Sequence, residues 1–328
     1  MDYFQAIIFG IVEGLTEYIP VSSTGHLILA KSFMGLTEKA IDPYIIVIQS
    51  GAILAVLGLY RKRVAQMILG LRGKNKIGLK LACNLIIAFL PAAIFGFLFD
   101  DAIDEWLMGT TPVIWALSIG GILMLFAARW QRSAFHEGTD SMSFIDIEHL
   151  SWKRALIIGF IQCLAMFPGT SRSMVTIVAS MAMGMKPKHA AEFSFLLGLP
   201  TLGGATVFKL FKDSDTLSSL SVGPMIIGII VAFIAAALAI KWLVAYLSKH
   251  GLALFGWYRI ALAIIVAIYF WGGNNNSSTT EDGAVTSSIF APVTFENDHC
   301  PAFPVATHSV PSTITGPTAD CHIPVLIS

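Results

Sequence analysis

Residues 10–26 read GIVEGLTEYIPVSSTGH, and the rest of the chain is organised around them. Glu13 and Glu17 stand in an otherwise apolar N-terminal segment. Their i, i+4 spacing puts both carboxylates on one face of a helix. Pro20 stops that helix, and Ser22, Ser23, Thr24, Gly25 and His26 follow before the chain turns apolar again. A carboxylate inside a membrane is costly and marks a functional site by default; this stretch holds two, with hydroxyls and an imidazole a few residues away.

Composition sets the class. The 328 residues are 55% hydrophobic and 13% charged, with a mean hydropathy of +0.73, whereas a soluble domain carries about a quarter charged residues. The chain reads as an all-α polytopic membrane protein. The alternation over about ten residues that marks an outer-membrane barrel is absent. A formal net charge of zero gives no electrostatic reason to expect nucleic acid as a partner. Asp2 and the lack of a basic first segment argue against a cleavable signal peptide. Cys83 and Cys163, in apolar segments, read as small buried hydrophobes. Cys300 and Cys321 lack metal-site spacing and can pair only in an oxidising compartment.

Runs long enough to cross a bilayer, about 17–25 residues, fall at 42–60, 81–99, 112–128, 190–208, 223–243 and 252–271. Two further apolar regions are broken, 3–34 at Pro20 to Gly25 and 155–184 at Pro168-Gly169-Thr170. Each half is too short to span, which predicts two re-entrant helical hairpins beside six full spans. Arg61, Lys62, Arg63, Arg72, Lys74, Lys76 and Lys80 make the loop after 60 cytoplasmic, and Asp100, Asp101, Asp104 and Glu105 send the next loop outside. Hairpin 3–34 then opens on the outer face and hairpin 155–184 on the cytoplasmic face, and Lys209 and Lys212 fall in an outer loop against the rule.

The two broken regions head similar units. Gly10 to Pro20 reads GIVEGLTEYIP and Gly159 to Pro168 reads GFIQCLAMFP, so that Gln162 answers Glu13 and Met166 answers Glu17. Each hairpin precedes three spans with opposite orientation, the plan of an inverted-topology repeat whose broken helices meet near the midplane. The expected organisation is 1–128 as the first repeat, 129–154 as a cytoplasmic connector, 155–271 as the second repeat and 272–328 as a polar tail without regular structure.

A helix that begins at the midplane points unpaired N–H groups and a positive dipole end inward. New helices are expected near Ser23 to His26 and near Ser171 to Ser173, and two such N-termini suit a phosphate. Gly25 and Gly169 permit close approach of backbone, and Arg172 adds a planar fork for phosphate oxygens. Glu13 and Glu17 need compensation, which a divalent cation such as Mg²⁺ or Ca²⁺, a salt bridge to Arg172 or protonation would each supply. Ser22, Ser23, His26, Ser171, Ser173 and Thr176 offer hydroxyls and a base. Each hydroxyl taken singly is explained by helix capping; together beside Arg172 they suggest an activated nucleophile. Glu192 fits a supporting contact or a structural one.

These pieces resemble the bacterial undecaprenyl-diphosphate phosphatases, the bacitracin-resistance protein family. The resemblance rests on Glu13 to His26, on PGTSRS at Pro168 to Ser173 with Thr176, and on EFSFLL from Glu192; it covers about residues 1–271. It implies an integral-membrane hydrolase of the bacterial inner membrane, with the site facing the periplasm. Such an enzyme converts the C55 diphosphate to the monophosphate carrier lipid and inorganic phosphate for peptidoglycan synthesis, with a divalent cation. Bacitracin enters only by sequestering the substrate, and a homodimer is a further expectation. By the same resemblance Glu13 and Glu17 bind metal or pyrophosphate, Ser23 is a proposed nucleophile and His26 a proposed base or acid. Arg172 binds phosphate, with Ser22, Thr24, Gly169, Thr170, Ser171, Ser173 and Thr176 around the substrate. Met174 departs from the family's usual glycine. Attack by Ser23 assisted by His26 is the favoured chemistry.

A transporter or flippase for phosphate or lipid phosphate would use the same midplane anion site. The acid-phosphatase-like lipid phosphatases are echoed by Thr24-Gly25-His26 and Ser171-Arg172, but no histidine follows at the spacing they need.

Overall fold

Asp2 opens the first helix with a capping box: its carboxylate accepts from the Gln5 amide at 2.8 Å, and the Gln5 side chain accepts from the Asp2 amide at 3.0 Å. From there the described residues are helical almost throughout. A computed structural model describes residues 1–36, 38–107, 110–136, 145–212 and 221–272. Among these residues the helices are α1 (Tyr3–Tyr18), α2 (Ser23–Phe33), α3 (Glu38–Leu59), α4 (Arg61–Leu71), α5 (Lys76–Leu107) and α6 (Thr110–His136). They continue with α7 (Trp152–Gln162), α8 (Arg172–Ala182), α9 (Pro187–Lys212), α10 (Val222–Leu247) and α11 (Ala253–Gly272). Two short 3₁₀ turns, Ile147–His149 and Cys163–Met166, complete them. The expected tail with Cys300 and Cys321, and most of the loop after Lys212, lie outside the described residues.

Six helices, α3, α5, α6, α9, α10 and α11, contain segments long and apolar enough to cross a membrane. They coincide with the six runs drawn from sequence. Large apolar side chains point outward from them, among them Phe97, Trp115 and Phe126, as a protein solvated by hydrocarbon requires.

Small residues set the helix contacts, as expected where lipid removes the hydrophobic drive between helices. A Cβ on Gly14 would lie 2.5 Å from the Ala232 carbonyl, so α1 lies directly on the backbone of α10. A Cβ on Gly159 would lie 2.4 Å from the Ala88 carbonyl, so α7 lies equally close on α5.

Two expectations need correction. The basic stretch after residue 60 is not a loop but α4 and the start of α5, joined at Gly73 (φ 75°). The helices cross so tightly that a Cβ on Gly70 would lie 2.1 Å from the Leu79 nitrogen. Cys83 is exposed on the outer face of α5 and Cys163 is partly exposed, so neither is a buried core residue; a thiol is apolar enough for a lipid-facing position. Of the two readings of Glu192, the structural contact holds: it accepts from Arg63 Nε at 2.9 Å, while Arg63 Nη1 donates to Glu148 at 2.7 Å. Burial opposes the Arg63 charge, but these two carboxylates outweigh it and hold the guanidinium pKa above its ordinary value.

Candidate active site at the two helix breaks

Both breaks close with the same local device. α1 ends at Tyr18 with Ile19 extended, and α2 starts at Ser23 with Ser22 as its cap. α8 starts at Arg172 with Ser171 as its cap. Ser22 (φ 74°, ψ 101°) and Ser171 (φ 72°, ψ 109°) share one sparsely populated conformation, and among the described residues they are the only non-glycine positions with positive φ. Such backbone costs about 1–3 kcal/mol and concentrates at functional sites. Each hydroxyl accepts from a helix amide, Gly25 or Met174, at 3.4 Å. Capping therefore accounts for Ser22 and Ser171.

It does not account for Ser23. Its Oγ donates to Glu17 Oε2 at 2.9 Å. The other oxygen of Glu17 accepts from Arg172 Nη2 at 3.2 Å, with both side chains under a tenth exposed. Arg172 Nη1 donates to the Ser194 carbonyl at 2.8 Å, and its guanidinium lies 5.7 Å over the Tyr18 ring. A Cβ on Gly198 would lie 2.8 Å from Nη1, so α9 offers glycine where the guanidinium passes. Arg172 Nε is buried without a partner. Of the expected ways to compensate Glu17, the fold supplies the salt bridge.

Glu13, one turn earlier, is 1% exposed, and neither of its oxygens has a hydrogen-bond partner. The Gln49 side chain of α3 faces it without a bond of normal geometry. An unpaired carboxylate beside Glu17 suits an oxygen-seeking cation. Among the described residues no cluster of three or more His, Cys, Asp or Glu exists, so a cation here would complete its shell from phosphate and water, the usual habit of Mg²⁺.

His26 does not reach Ser23 as a base would. Its Nδ1 lies 2.7 Å from the Ser22 carbonyl, which can only accept, so this nitrogen carries the proton. Nε2 then accepts from the Tyr258 hydroxyl at 2.8 Å, with the two rings stacked 5.6 Å apart. The proton of Ser23 is directed at Glu17 instead. The reason is local: the turn at Ser22 sets the start of α2 so that Ser23 faces α1 while His26 faces α11.

The remaining expected residues divide. Ser173 Oγ donates to the Ile19 carbonyl at 3.3 Å, stitching the second break to the first, and lies 3.1 Å from Ser171 Oγ. Thr176 Oγ1 donates to the Arg172 carbonyl at 2.8 Å and lies 2.6 Å from Ser194 Oγ. Both are fully buried and tied to protein. The Gly169 turn (φ 88°) packs on α6, where an added Cβ would lie 2.9 Å from Val113 Cα. Gly25 has more room, its nearest neighbour being the flexible Leu117 side chain. Thr24 and Thr170 are partly buried at the two breaks.

Arg172 also lines a cavity of about 410 Å³ between α5, α9 and the turn after α7. Gln162 and Thr201 join it at the polar end, and Phe89, Phe97, Leu202 and Phe208 make the wall apolar. Glu17 does not line this cavity; its two oxygens accept from Ser23 and Arg172. Sequence reasoning passed over Tyr18, Ser194, Tyr258 and Arg259. For Arg259 a signal was present, an arginine inside the run 252–271.

Residues 6–265 match the family described as "Bacitracin resistance protein BacA". Curated relatives are similar over nearly their whole length. A protein of Ectopseudomonas mendocina (strain ymp) named undecaprenyl-diphosphatase is 43% identical over 263 residues, covering 80% of this chain and 92% of its own. One of Sorangium cellulosum (strain So ce56) with the same name is 44% identical over 268 residues, 81% of this chain and 86% of its own. The Rhodospirillum rubrum protein named undecaprenyl-diphosphatase 2 is 42% identical over 263 residues, 80% and 93% respectively.

Proposed function

The chain belongs to the bacitracin resistance protein BacA family, and on that premise we propose that it hydrolyses undecaprenyl diphosphate to undecaprenyl phosphate and inorganic phosphate. The activity recycles the carrier lipid for peptidoglycan synthesis and removes the diphosphate that bacitracin sequesters. The observation that carries this reading is the junction of Glu17, Ser23 and Arg172, which brings a hydroxyl, its proton acceptor and a phosphate-type fork together across the two breaks.

Ser23 Oγ attacks the terminal phosphorus, and its proton passes to Glu17 along the existing 2.9 Å hydrogen bond. The bond from phosphorus to the bridging oxygen breaks, and the lipid monophosphate leaves with that oxygen and its electron pair. Water then cleaves the phosphoserine, releasing inorganic phosphate and restoring the hydroxyl. Arg172 offsets the charge on the transferring group, its unpartnered Nε being a donor left for a phosphate oxygen. His26 keeps Nε2 as its basic nitrogen, shared with Tyr258. The helix starts at Ser22, Thr24, Thr170 and Ser171 face the phosphates, while Thr176 bonds the Arg172 carbonyl and Ser173 ties the second break to the Ile19 carbonyl of the first. Glu13 and Glu17 are the residues that would hold a divalent cation, Mg²⁺ or Ca²⁺, which would supply positive charge to offset that of the substrate's phosphates. The apolar cavity beside Arg172 accommodates the first isoprene units of the lipid.

The finer architecture is part of the same proposal. α1–α2 and α7–α8 are re-entrant hairpins, each followed by three spans, in an inverted repeat covering 1–128 and 155–271. Three observations support it: the matching backbone of Ser22 and Ser171, helices of 11–16 residues where about 20 are needed to span, and the reciprocal packing of α1 on α10 and of α7 on α5. The site then opens to the periplasmic side of the inner membrane, and a homodimer fits the same plan.

The deciding experiment is phosphate release from undecaprenyl diphosphate by the purified chain, with and without chelator. Release that stops with chelator and returns with Mg²⁺ or Ca²⁺ is expected. Binding without release would favour the transporter alternative.

A further inference from the structure

Arg259 sits in α11 with none of its surface exposed. Among the described residues no carboxylate pairs with it. Its Nη2 donates to the carbonyls of Ala116 on α6 and of Gly169, both at 2.9 Å, while Nε and Nη1 have no partner. Two neutral acceptors do not offset the burial of a lone cation, so packing alone gives no reason for arginine here. Yet the fold makes room for it: a Cβ on Gly120 would lie 2.4 Å from Nη2 and 2.9 Å from Cζ.

What the guanidinium holds is the turn of the second break. Gly169 (φ 88°) and Ser171 (φ 72°) are both in the positive-φ region, so the path into α8 is not one the chain adopts unaided. Gly169 is pressed against Val113 of α6 on one side and bonded to Arg259 through its carbonyl. One position earlier on α11, Tyr258 holds His26 of the first break. Consecutive residues of one helix thus reach both breaks.

We infer that Arg259 is a positioning residue for phosphate transfer: by clamping the Gly169 carbonyl to α6 it fixes the start of α8, and with it Ser171 and Arg172. This rests on the phosphatase reading above. Arg259 touches no reacting group in this scheme; it sets where the phosphate-binding fork stands.

The test uses the full chain in lipid nanodiscs, following phosphate release over a range of undecaprenyl diphosphate concentrations and its inhibition by added inorganic phosphate. Arg259→Met removes the clamp. Gly120→Ala keeps the arginine but drives a methyl group into its flexible end. Both are expected to lower kcat/KM about ten- to a hundredfold, the effect of a small misplacement of reacting groups, with KM raised and phosphate inhibition weakened in parallel. Arg259→Lys, which can still donate to both carbonyls, is expected to recover part of the loss. Folded Arg259→Met with wild-type KM and phosphate inhibition would overturn the inference. If that variant does not fold, Gly120→Ala decides by the same two outcomes. A folded wild-type chain that releases no phosphate would overturn the phosphatase reading itself, and this inference with it.

Discussion

Glu17 Oε1 and Arg172 Nη2 stand 3.2 Å apart although 155 positions separate them in sequence. One ends the first half of the first break and the other begins the second half of the second. Each is the other's buried counter-charge, and breaking such a pair leaves a charge uncompensated. Glu17→Gln and Arg172→Gln are each expected to lower phosphate release about 10²–10³-fold. Arg172→Lys should not restore it, because a point ammonium cannot serve the carboxylate and the Ser194 carbonyl in one fork. Steady-state phosphate release from folded variants checks this.

Ser23 is the hydroxyl whose proton is aimed at a carboxylate. Ser23→Ala should abolish turnover, and rapid acid quench of the wild-type chain should trap a phosphoserine at that position. Full activity in Ser23→Ala would remove it from the chemistry and leave attack to water.

The strained cap at Ser171 gives a prediction about stability with a definite sign. Alanine loses the cap and keeps the strain, costing about 0.5–2 kcal/mol. Glycine loses the cap but relieves the strain. Ser171→Gly should therefore be more stable than Ser171→Ala by about 1 kcal/mol, read by thermal unfolding in the same detergent. The reverse order would contradict the reading of φ 72° as strain.

Arg63 joins α4 to Glu148 and Glu192, and Glu192 is only 13% exposed. Arg63→Ala should lower stability by about 1–3 kcal/mol, the cost of leaving a buried charged acceptor unsatisfied. Activity per folded molecule should stay within a few-fold, since the cluster shares no residue with the helix breaks.

Much of this arrangement is legible in the sequence because it is local. Six runs of membrane length, two prolines that break shorter runs, and carboxylates stranded among apolar residues are visible without a fold. The identity of Ser23's partner is not, because it depends on the backbone turn at Ser22, which sets Ser23 toward Glu17 and His26 toward Tyr258. The helicity of α4 was hidden because its basic residues read as a loop, whereas the glycine crossing of Gly70 and Gly78 is a property of two helices together. Arg259 was hidden for the opposite reason. It stands in plain view within an apolar run, but its acceptors, Ala116 and Gly169, are 143 and 90 positions away.

The union of the two breaks into one site is tested most directly by a double-variant cycle on kcat/KM for undecaprenyl diphosphate, using Glu17→Gln, Arg172→Gln and the pair together. Residues that act as one unit are grossly non-additive, so the double variant should be little worse than the poorer single. Losses that multiply, as for independent sites, would contradict a shared centre.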